Sequence, residues 1–264
     1  MAIKKKVPNK RIPTTTSHQS RLQIYEPTKV PKSLLRQIDN IFGSATIDGR
    51  LGQGHAALVE SICFYAESFT HMSDGKVVVL VDLYQVRTSM GSGKYHSFEG
   101  LFTRAKEVMK ALIELKINLS GEHIICHIIE KMEKSKEIRH NPLNPSTKRN
   151  LWAVTFSKEY IHLLKNDLEV YYDPRLIAKL SSGITQAVAR YLLTHKRQPN
   201  GGWILDNLFV SVGASTSKNE QIRKYRDRIK KDAKKLLLVG FQVTEDVKGR
   251  LRVKKVPKPL ALGE

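Results

Sequence analysis

Two stretches of the sequence repeat one order of elements at an offset of about 124 residues. Asp82-Leu83-Tyr84-Gln85-Val86 in the first half corresponds to Asp206-Asn207-Leu208-Phe209-Val210 in the second. In both halves a turn of small residues and a long helical pattern follow the motif. Because two copies of one unit must each bury a similar face, this duplication constrains the fold more than any single motif does.

The second of the two long helical patterns, residues 217–238, is strongly basic. Its apolar residues recur at helical spacing as Ile222, Tyr225, Ile229, Ala233, Leu236 and Leu237. Its other faces carry nine Lys or Arg residues against three acids. Such a helix packs on a core along one side and presents positive charge to phosphates on the other. The alternative interpretation is a solvated charged surface.

The charge of the whole chain indicates a polyanionic partner. Its 264 residues carry a formal net charge of +20, which is typical of proteins that bind nucleic acid or an anionic membrane surface. No apolar run approaches the ~18 residues of a membrane span, and no apolar segment follows the basic amino terminus. We therefore expect a soluble cytoplasmic protein that does not act at a membrane, with Cys63 and Cys126 as buried free thiols.

Composition divides the chain into three parts. Residues 1–32 are basic and rich in Pro, Thr and Ser, which predicts a flexible, disordered basic arm. Residues 33–165 form the predicted N-terminal domain and residues 166–264 the C-terminal domain. In the first domain, the periodicity predicts helices over Ser33–Ile41 and Ser97–Leu115, strands over Ile117–Leu119, His123–Met132 and Leu151–Phe156, and a loop at 141–145.

The order helix, helix, turn, long helix and β-hairpin is that of a winged helix-turn-helix. The predicted fold class is therefore α+β, with two tandem winged-helix domains behind the disordered arm. In that geometry the third helix enters the major groove of DNA, and the residues at its amino end contact base edges.

The amino end of the basic helix carries the residues predicted to read bases. Ser217 and Glu220 have the spacing of a capping box, which sets the start of the helix at Ser217. The first turns then hold Thr216, Ser217, Lys218, Asn219 and Arg223. Asn pairs best with adenine and Arg with guanine.

Further cations are predicted to contact phosphates. Lys224, Arg226 and Lys230 lie further along the basic helix, where they hold the backbone or stay solvated. Arg250, Arg252 and Lys254 alternate along the second hairpin strand, so they share one face, as a wing would require; the alternative is an ordinary charged strand face. In the first copy, Arg104 is the corresponding candidate, although that helix also carries several glutamates.

The sequence provides little support for catalysis. His123 and His127 flank an apolar strand without an evident third ligand, so we expect no metal site. The stretch Gly91-Ser92-Gly93-Lys94 is followed by Tyr95, where a phosphate-binding loop needs Ser or Thr. We therefore predict a protein that is not an enzyme and that needs no cofactor.

Part of the second half resembles a known family over about 75 residues. The resemblance rests on Ala189-Arg190-Tyr191-Leu192-Leu193, Trp203-Ile204-Leu205-Asp206-Asn207-Leu208, Arg223 to Lys230, and Leu238 to Glu245. These residues are similar to the carboxy-terminal domain of bacterial plasmid replication initiators of the RepC and TrfA kind. The first half matches in element order more than in residues.

The resemblance implies binding of double-stranded DNA at repeated origin sites (iterons), melting of the origin, and recruitment of a replicative helicase with other replication proteins. It leaves open whether the chain forms a homodimer. The alternative function is a winged-helix transcriptional regulator or copy-number repressor. A basic protein of the membrane surface or of RNA is disfavoured, because no aromatic cluster typical of base stacking is visible on a strand.

Overall fold

The computed structural model describes residues 13–91, 97–141, 144–165 and 169–256. Two hydrophobic cores divide this part of the chain. The first is built from buried residues between Leu22 and Leu164, and the second from residues between Tyr172 and Val253. The first core ends at Leu164 and the second begins at Tyr172, so the predicted domain boundary between residues 165 and 166 lies between the two cores.

The first half contains two four-stranded antiparallel sheets and five helices among its described residues. Its elements are β1 (Thr15–Thr16), α1 (Ser17–Arg21), β2 (Leu35–Asn40), β3 (Gly43–Asp48), α2 (Gln53–Tyr65), β4 (Ser68–His71), β5 (Val77–Val81), α3 (Leu83–Ser89), α4 (Phe98–Lys110), β6 (Leu112–Ile117), β7 (His123–Cys126), β8 (Ile129–Asn141), β9 (Asn144–Phe156) and α5 (Lys158–Lys165). One sheet has the strand order β2-β3-β6-β7 and the other β4-β5-β9-β8.

The second half is smaller and mostly helical. Its elements are β10 (Glu169–Val170), α6 (Pro174–Ala178), α7 (Gly183–Leu193), β11 (Trp203–Ile204), α8 (Leu205–Ser211), α9 (Asn219–Lys231), α10 (Ala233–Val239), β12 (Phe241–Glu245) and β13 (Leu251–Lys255). The last three strands of the chain form a sheet of order β11-β13-β12. Gly240 ends α10 in the left-handed conformation with a φ of 101°, which Gly adopts without steric cost.

The repeated order of elements is present in the structure. In the first half α2, β5, α3, α4, β8 and β9 occur in the same order as α7, β11, α8, α9, β12 and β13 in the second. β4, between α2 and β5, and α10, between α9 and β12, have no counterpart among the described residues of the other half. The strand orders correspond as well, because β5-β9-β8 has the same arrangement as β11-β13-β12. In the first half the hairpin β6–β7 is inserted between α4 and β8, and β6 pairs with β3 in the separate sheet of order β2-β3-β6-β7.

Two predicted helices of the first half are partly or wholly strands. The residues of the predicted helix Ser33–Ile41 form β2, which pairs along its whole length with β3. The predicted helix Ser97–Leu115 ends at Lys110, and β6 follows. Leu112–Ile117 is buried at alternate positions and pairs with β3, so sheet pairing overrides the helical spacing of its leucines.

The predicted strands and loop between residues 123 and 156 form a different hairpin arrangement. Ile117–Leu119 is only the end of β6, and the strand His123–Met132 is divided into β7 and the beginning of β8. β8 and β9 are each 13 residues long, so Asn141, Asn144 and Pro145 of the predicted loop belong to strands. Residues 142 and 143 of that loop lie outside the described residues. Pro145 lies at the start of β9, where an end position tolerates the missing N–H.

The prediction of a flexible arm is wrong for residues 13–32, the part of the arm that the structure describes. Leu22 and Ile24 are fully buried in the first core, and Thr15 and Thr16 pair with β10 of the second half. The Arg36 side chain donates hydrogen bonds to the backbone carbonyls of Gln23 and Ile24. The polar composition of the segment suggested disorder, although a few of its apolar side chains insert into the first core. Residues 1–12 of the predicted arm lie outside the described residues.

Both cysteines are buried free thiols, as predicted. Burial raises the pKa of Cys63 to about 12 and that of Cys126 to about 11, with smaller contributions from neighbouring glutamates. These thiols are therefore protonated and unreactive at neutral pH.

A buried ion pair joins the first helices of the two repeated units. Arg190 of α7 donates from Nε to Glu60 Oε1 of α2 at 2.7 Å and from Nη2 to Glu60 Oε2 at 2.6 Å. Its Nη1 donates to Gln53 Oε1 at 2.8 Å. The Arg190 and Glu60 side chains are 4% and 1% exposed, so this contact lies in the interior between the two cores.

We predict that Arg190→Leu lowers the free energy of unfolding by about 3–5 kcal/mol, because it leaves the Glu60 carboxylate buried without its counter-charge. The double variant Arg190→Leu with Glu60→Leu should recover most of that loss, since neither charge is then buried. Urea unfolding followed by circular dichroism measures both. A single variant as stable as the wild type, or a double variant no better than the single, would contradict the prediction.

Candidate nucleic-acid interface

Helices α8 and α9 with the turn between them form the frame of the candidate interface. Phe209 of α8 and Ile229 of α9 are fully buried in the second core. The Phe209 and Tyr225 rings lie 5.3 Å apart between centroids. These contacts anchor the apolar stripe of α9 to α8, so the opposite face of α9 is left towards solvent.

The basic segment 217–238 is two helices rather than one. Asp232 ends α9 and precedes α10, and its fully buried carboxylate accepts two hydrogen bonds from the backbone N–H of Ser181, at 3.0 and 2.9 Å. Of the predicted apolar stripe, Ile229 and Leu236 are fully buried, whereas Leu237 is 39% exposed. After the break at Asp232, Leu236 stays in the second core and Leu237 lies at the surface.

The predicted capping box is not formed. α9 begins at Asn219 with Lys218 as its N-cap residue, and no side chain caps it. Glu220 is then the second residue of the helix, and it pairs with Lys224 at 2.6 Å instead of reaching back to Ser217. Ser217 Oγ lies 3.2 Å from Ser215 Oγ in the preceding turn.

Most of the residues predicted to read bases lie together and exposed at the amino end of α9. Ser217, Lys218, Asn219 and Arg223 are exposed, and Thr216 is half-buried. Lys224 and Lys230, predicted to contact phosphates, are also exposed. The structure therefore brings these seven side chains to one helix end and its solvent-facing surface.

Arg226 is occupied within the protein. Its Nε donates to Asp206 Oδ1 of α8 at 2.9 Å, and its Nη2 donates to Asp206 Oδ2. The hydrogen bonds to Asp206 raise the pKa of Arg226. This ion pair links α8 to α9, and the phosphate contact predicted for Arg226 stays a prediction.

The hairpin β12–β13 is organised by Asp246. Asp246 Oδ1 accepts from the backbone N–H of Lys248 at 2.9 Å and of Arg250 at 3.0 Å. Asp246 Oδ2 accepts from Arg250 Nε at 3.0 Å and from Arg252 Nε at 2.9 Å. The hydrogen bond from Arg252, followed by the others, holds the pKa of Asp246 well below its usual range.

The three cations predicted for the wing share a side but differ in availability. Arg252 and Lys254 occupy alternate positions opposite Thr244 and Gln242, as the sequence predicts. The Arg252 side chain is only 18% exposed and also donates to the carbonyl of Gly202. Arg250 is more exposed, at 47%. Arg252 therefore acts mainly in holding the hairpin together.

In the first half, α4 corresponds to α9. Arg104 is half-buried and lies against the amino end of α2, where its Nε is 3.1 Å from the position of a Cβ on Gly54. One turn further along α4, Glu107 binds His55 Nε2 at 2.7 Å. His55 Nδ1 accepts from the Gly52 N–H at 3.1 Å. The Glu107–His55 contact therefore fixes α4 to the amino end of α2.

The hairpin β8–β9 carries basic residues that sequence reasoning did not assign to the interface. They are Lys131, Lys134, Lys136, Arg139, Lys148 and Arg149. Arg149 lies 4.1 Å from the centroid of the Tyr84 ring and 3.6 Å from Asp82 Oδ2, so the hairpin is fixed to the beginning of α3. The sequence shows these basic residues on both sides of residues 141–145, but the loop predicted there separated them and hid that they belong to one hairpin.

A cleft between the two halves adjoins α9. One wall is the segment 26–33, and the other is the face of α9 with Lys218, Lys224 and Arg228. The cleft has a volume of about 700 Å³. A second hollow of about 430 Å³ continues it around the α8–α9 turn to Arg36 of β2. No sequence signal could locate the cleft, because its walls come from opposite ends of the chain.

The histidines considered as metal ligands have other partners. His123 Nε2 lies 2.8 Å from Glu114 Oε1 across the β6–β7 pair, and His127 Nδ1 lies 2.9 Å from the carbonyl of Ala111. Within the described residues, no group of three or more His, Cys, Asp or Glu side chains is arranged to hold a metal ion. Over the same residues, no helix has the length and apolar character to cross a bilayer.

Comparison with known proteins gives a likeness in fold. No family model and no curated protein matches the sequence. A crystal structure of selenomethionine derivatives of domain 2 and domain 3 of RctB has a TM-score of 0.60, with 10% sequence identity over 92% of this chain and 99% of that one. A second structure of RctB domains 2–3 has a TM-score of 0.52, with 9% identity over 90% of this chain and 95% of that one.

At such low identity the likeness shows the fold. The chain has a mixed α+β fold similar to that of RctB domains 2 and 3. The comparison does not single out initiators of the RepC and TrfA kind.

We predict that Asp246→Ala removes the protection of the Lys248 and Arg250 amides against hydrogen exchange, because it removes the carboxylate that accepts from both. The contribution of Asp246 is present above the unfolded pKa of about 3.9 and is lost as the pH falls towards its lower folded pKa. Hydrogen–deuterium exchange at neutral pH provides the measurement, with Glu245→Ala as control. Equal protection of both amides in Asp246→Ala and wild type would show that the carboxylate does not organise the turn.

Proposed function

We propose that this chain is a replication initiator that binds double-stranded DNA at repeated sites of a plasmid origin through two winged-helix units. The observation that carries the proposal is the repeated arrangement itself, in which α4 and α9 each follow a shorter helix and precede a β-hairpin. The corresponding sheets have the same strand order. That order of elements is the one in which the third helix occupies the major groove.

The surface charge and the fold likeness both support this proposal. The exposed amino end of α9 carries Lys218, Asn219 and Arg223, side chains that hydrogen-bond bases and phosphates. RctB, whose domains 2 and 3 have a similar fold, is a replication initiator. The net charge of +20 favours a polyanion as partner.

The proposal includes the further steps of initiation. Binding at successive iterons bends and melts the origin, and the bound initiator recruits a replicative helicase and other replication proteins in the cytoplasm. In this proposal the chain has no catalytic activity of its own and needs no cofactor, and a homodimer is an open alternative to the monomer. The two units address grooves about one helical turn, or ~34 Å, apart.

A plasmid carrying only this gene and its adjacent noncoding segment tests the initiator function. We expect replication in a permissive host, and we expect direct repeats of about one to two helical turns beside an AT-rich tract in that segment. Failure to replicate while the protein still binds the repeats and lowers transcription from a linked promoter would favour the second candidate, a regulator or copy-number repressor.

We predict that Arg223→Ala with Lys230→Ala weakens binding to duplex DNA and lowers the slope of log affinity against log salt by about 2, since each lost phosphate contact removes ~0.9. Binding to a labelled duplex, titrated at several salt concentrations, measures this. Lys158→Ala, an exposed lysine of α5 outside both units, is the matched control. An unchanged slope in the double variant would remove α9 from the interface.

The role of Arg226 requires a separate variant. Because Arg226 holds Asp206, Arg226→Ala is expected to lower the stability of the α8–α9 pair as well as DNA binding. Asp206→Ala provides the comparison, since it breaks the same ion pair and leaves the cation. If both variants weaken binding equally, Arg226 acts through the ion pair and not through a phosphate.

A further inference from the structure

The segment 26–33, one wall of the cleft beside α9, is held in place by contacts with both halves of the protein. Gln23, in the left-handed region with a φ of 51°, donates from its side chain to the carbonyl of Ser211 at the end of α8. The amino end of α7 packs closely on the segment, since a Cβ on Gly183 would lie 2.5 Å from Cα of Thr28. Thr28 O also accepts from the N–H of Gln53 at the start of α2. The segment is therefore held to both halves of the protein.

The cleft has an excess of positive charge. Glu26 is engaged by the Ser33 N–H at 3.2 Å and by Arg36 at 3.7 Å, and Glu220 is paired with Lys224. These partners neutralise both carboxylates that line the cleft. Among the described residues, Lys32, Lys218 and Arg228 line the same cleft and form no ion pair.

Further cations lie along the segment towards the other repeated unit. Burial lowers the pKa of Lys29, and the neighbouring Lys235 and Arg104 lower it further, against the opposing effect of Asp232. Lys29 therefore lies within electrostatic reach of both α4 and α10. Lys32 of the same segment lines the cleft opposite α9.

From this geometry we propose that the cleft receives the phosphate backbone of one DNA strand, contacted by Lys218 and Arg228 of α9 on one wall and by Lys32 of the segment 26–33 on the other. The inference rests on the proposed function. When a helix lies in the major groove, the flanking strands run beside it at the edges of a groove ~12 Å wide, and the cleft lies at one such flank of α9. A DNA strand therefore suits the cleft better than an acidic protein segment does.

Lys32→Ala tests the proposal in the full chain. The probe is a fluorescent duplex of mixed sequence and about four helical turns, or roughly 40 base pairs. We expect the salt slope to fall by about 0.9 and the affinity at low salt to fall several-fold. Lys32→Glu should weaken binding further, and Lys158→Ala should match the wild type. Thermal melting of each variant confirms that it is folded.

The outcomes separate this inference from the proposed function. If Arg223→Ala with Lys230→Ala lowers the slope but Lys32→Ala leaves it unchanged, the cleft proposal is overturned and DNA binding by α9 stands. If the wild type binds no duplex, both are overturned. If Lys32→Ala abolishes binding of polyglutamate and leaves duplex binding unchanged, the cleft is a site for an acidic protein, and the proposal is wrong.

A direct readout uses Lys32→Cys conjugated to an iron–EDTA cleavage reagent. The two native thiols are buried and protonated, so the reagent attaches at residue 32. We expect cleavage of the bound duplex on the strand that passes through the cleft. The same conjugate at Lys158→Cys is the control, and equal cleavage from both positions, or none from residue 32, would overturn the proposal.

Discussion

The ion pair between Arg190 and Glu60 is the constraint on which the arrangement of the two repeated units depends. It joins α7 to α2, the equivalent first helices of the two units, in a place where neither charge is accessible to water. Any tilt of one helix against the other would separate a guanidinium from a carboxylate inside the protein, at a cost of several kcal/mol. The orientation of α4 relative to α9 follows from this contact, because each is packed on its own unit.

The segment 13–33 completes the same junction. Thr15 and Thr16 pair with β10, Leu22 and Ile24 insert into the first core, and Gln23 binds the end of α8. Composition alone predicts a flexible arm here, because polar and basic residues outnumber the apolar ones. Two buried aliphatic side chains and a short strand pairing order the described part of it. The residues that follow, 26–33, form one wall of the cleft beside α9.

The basic surface of the second unit divides into cations that face solvent and cations that hold the fold. Arg223 and Lys230 are exposed, as the helical periodicity predicts. Arg226, on the same helix, and Arg252, predicted from alternation along a strand, are engaged by Asp206 and Asp246. Charge counting cannot separate these roles, because the sequence does not show which arginines pair with a carboxylate in the folded protein and which are available to contact a phosphate.

The sequence by itself determined the duplication, the basic character of α9, its apolar stripe up to Ile229 and the burial of both cysteines. These depend on local periodicity and on the number of apolar side chains, which a single chain displays directly. Only the tertiary structure decided that Ser33–Ile41 contributes strand β2 and that Leu112–Ile117 forms β6, because pairing with β3 supplies their hydrogen bonds. It also decided the cleft, because the segment 26–33 and α9 are distant in sequence and meet only in the folded chain.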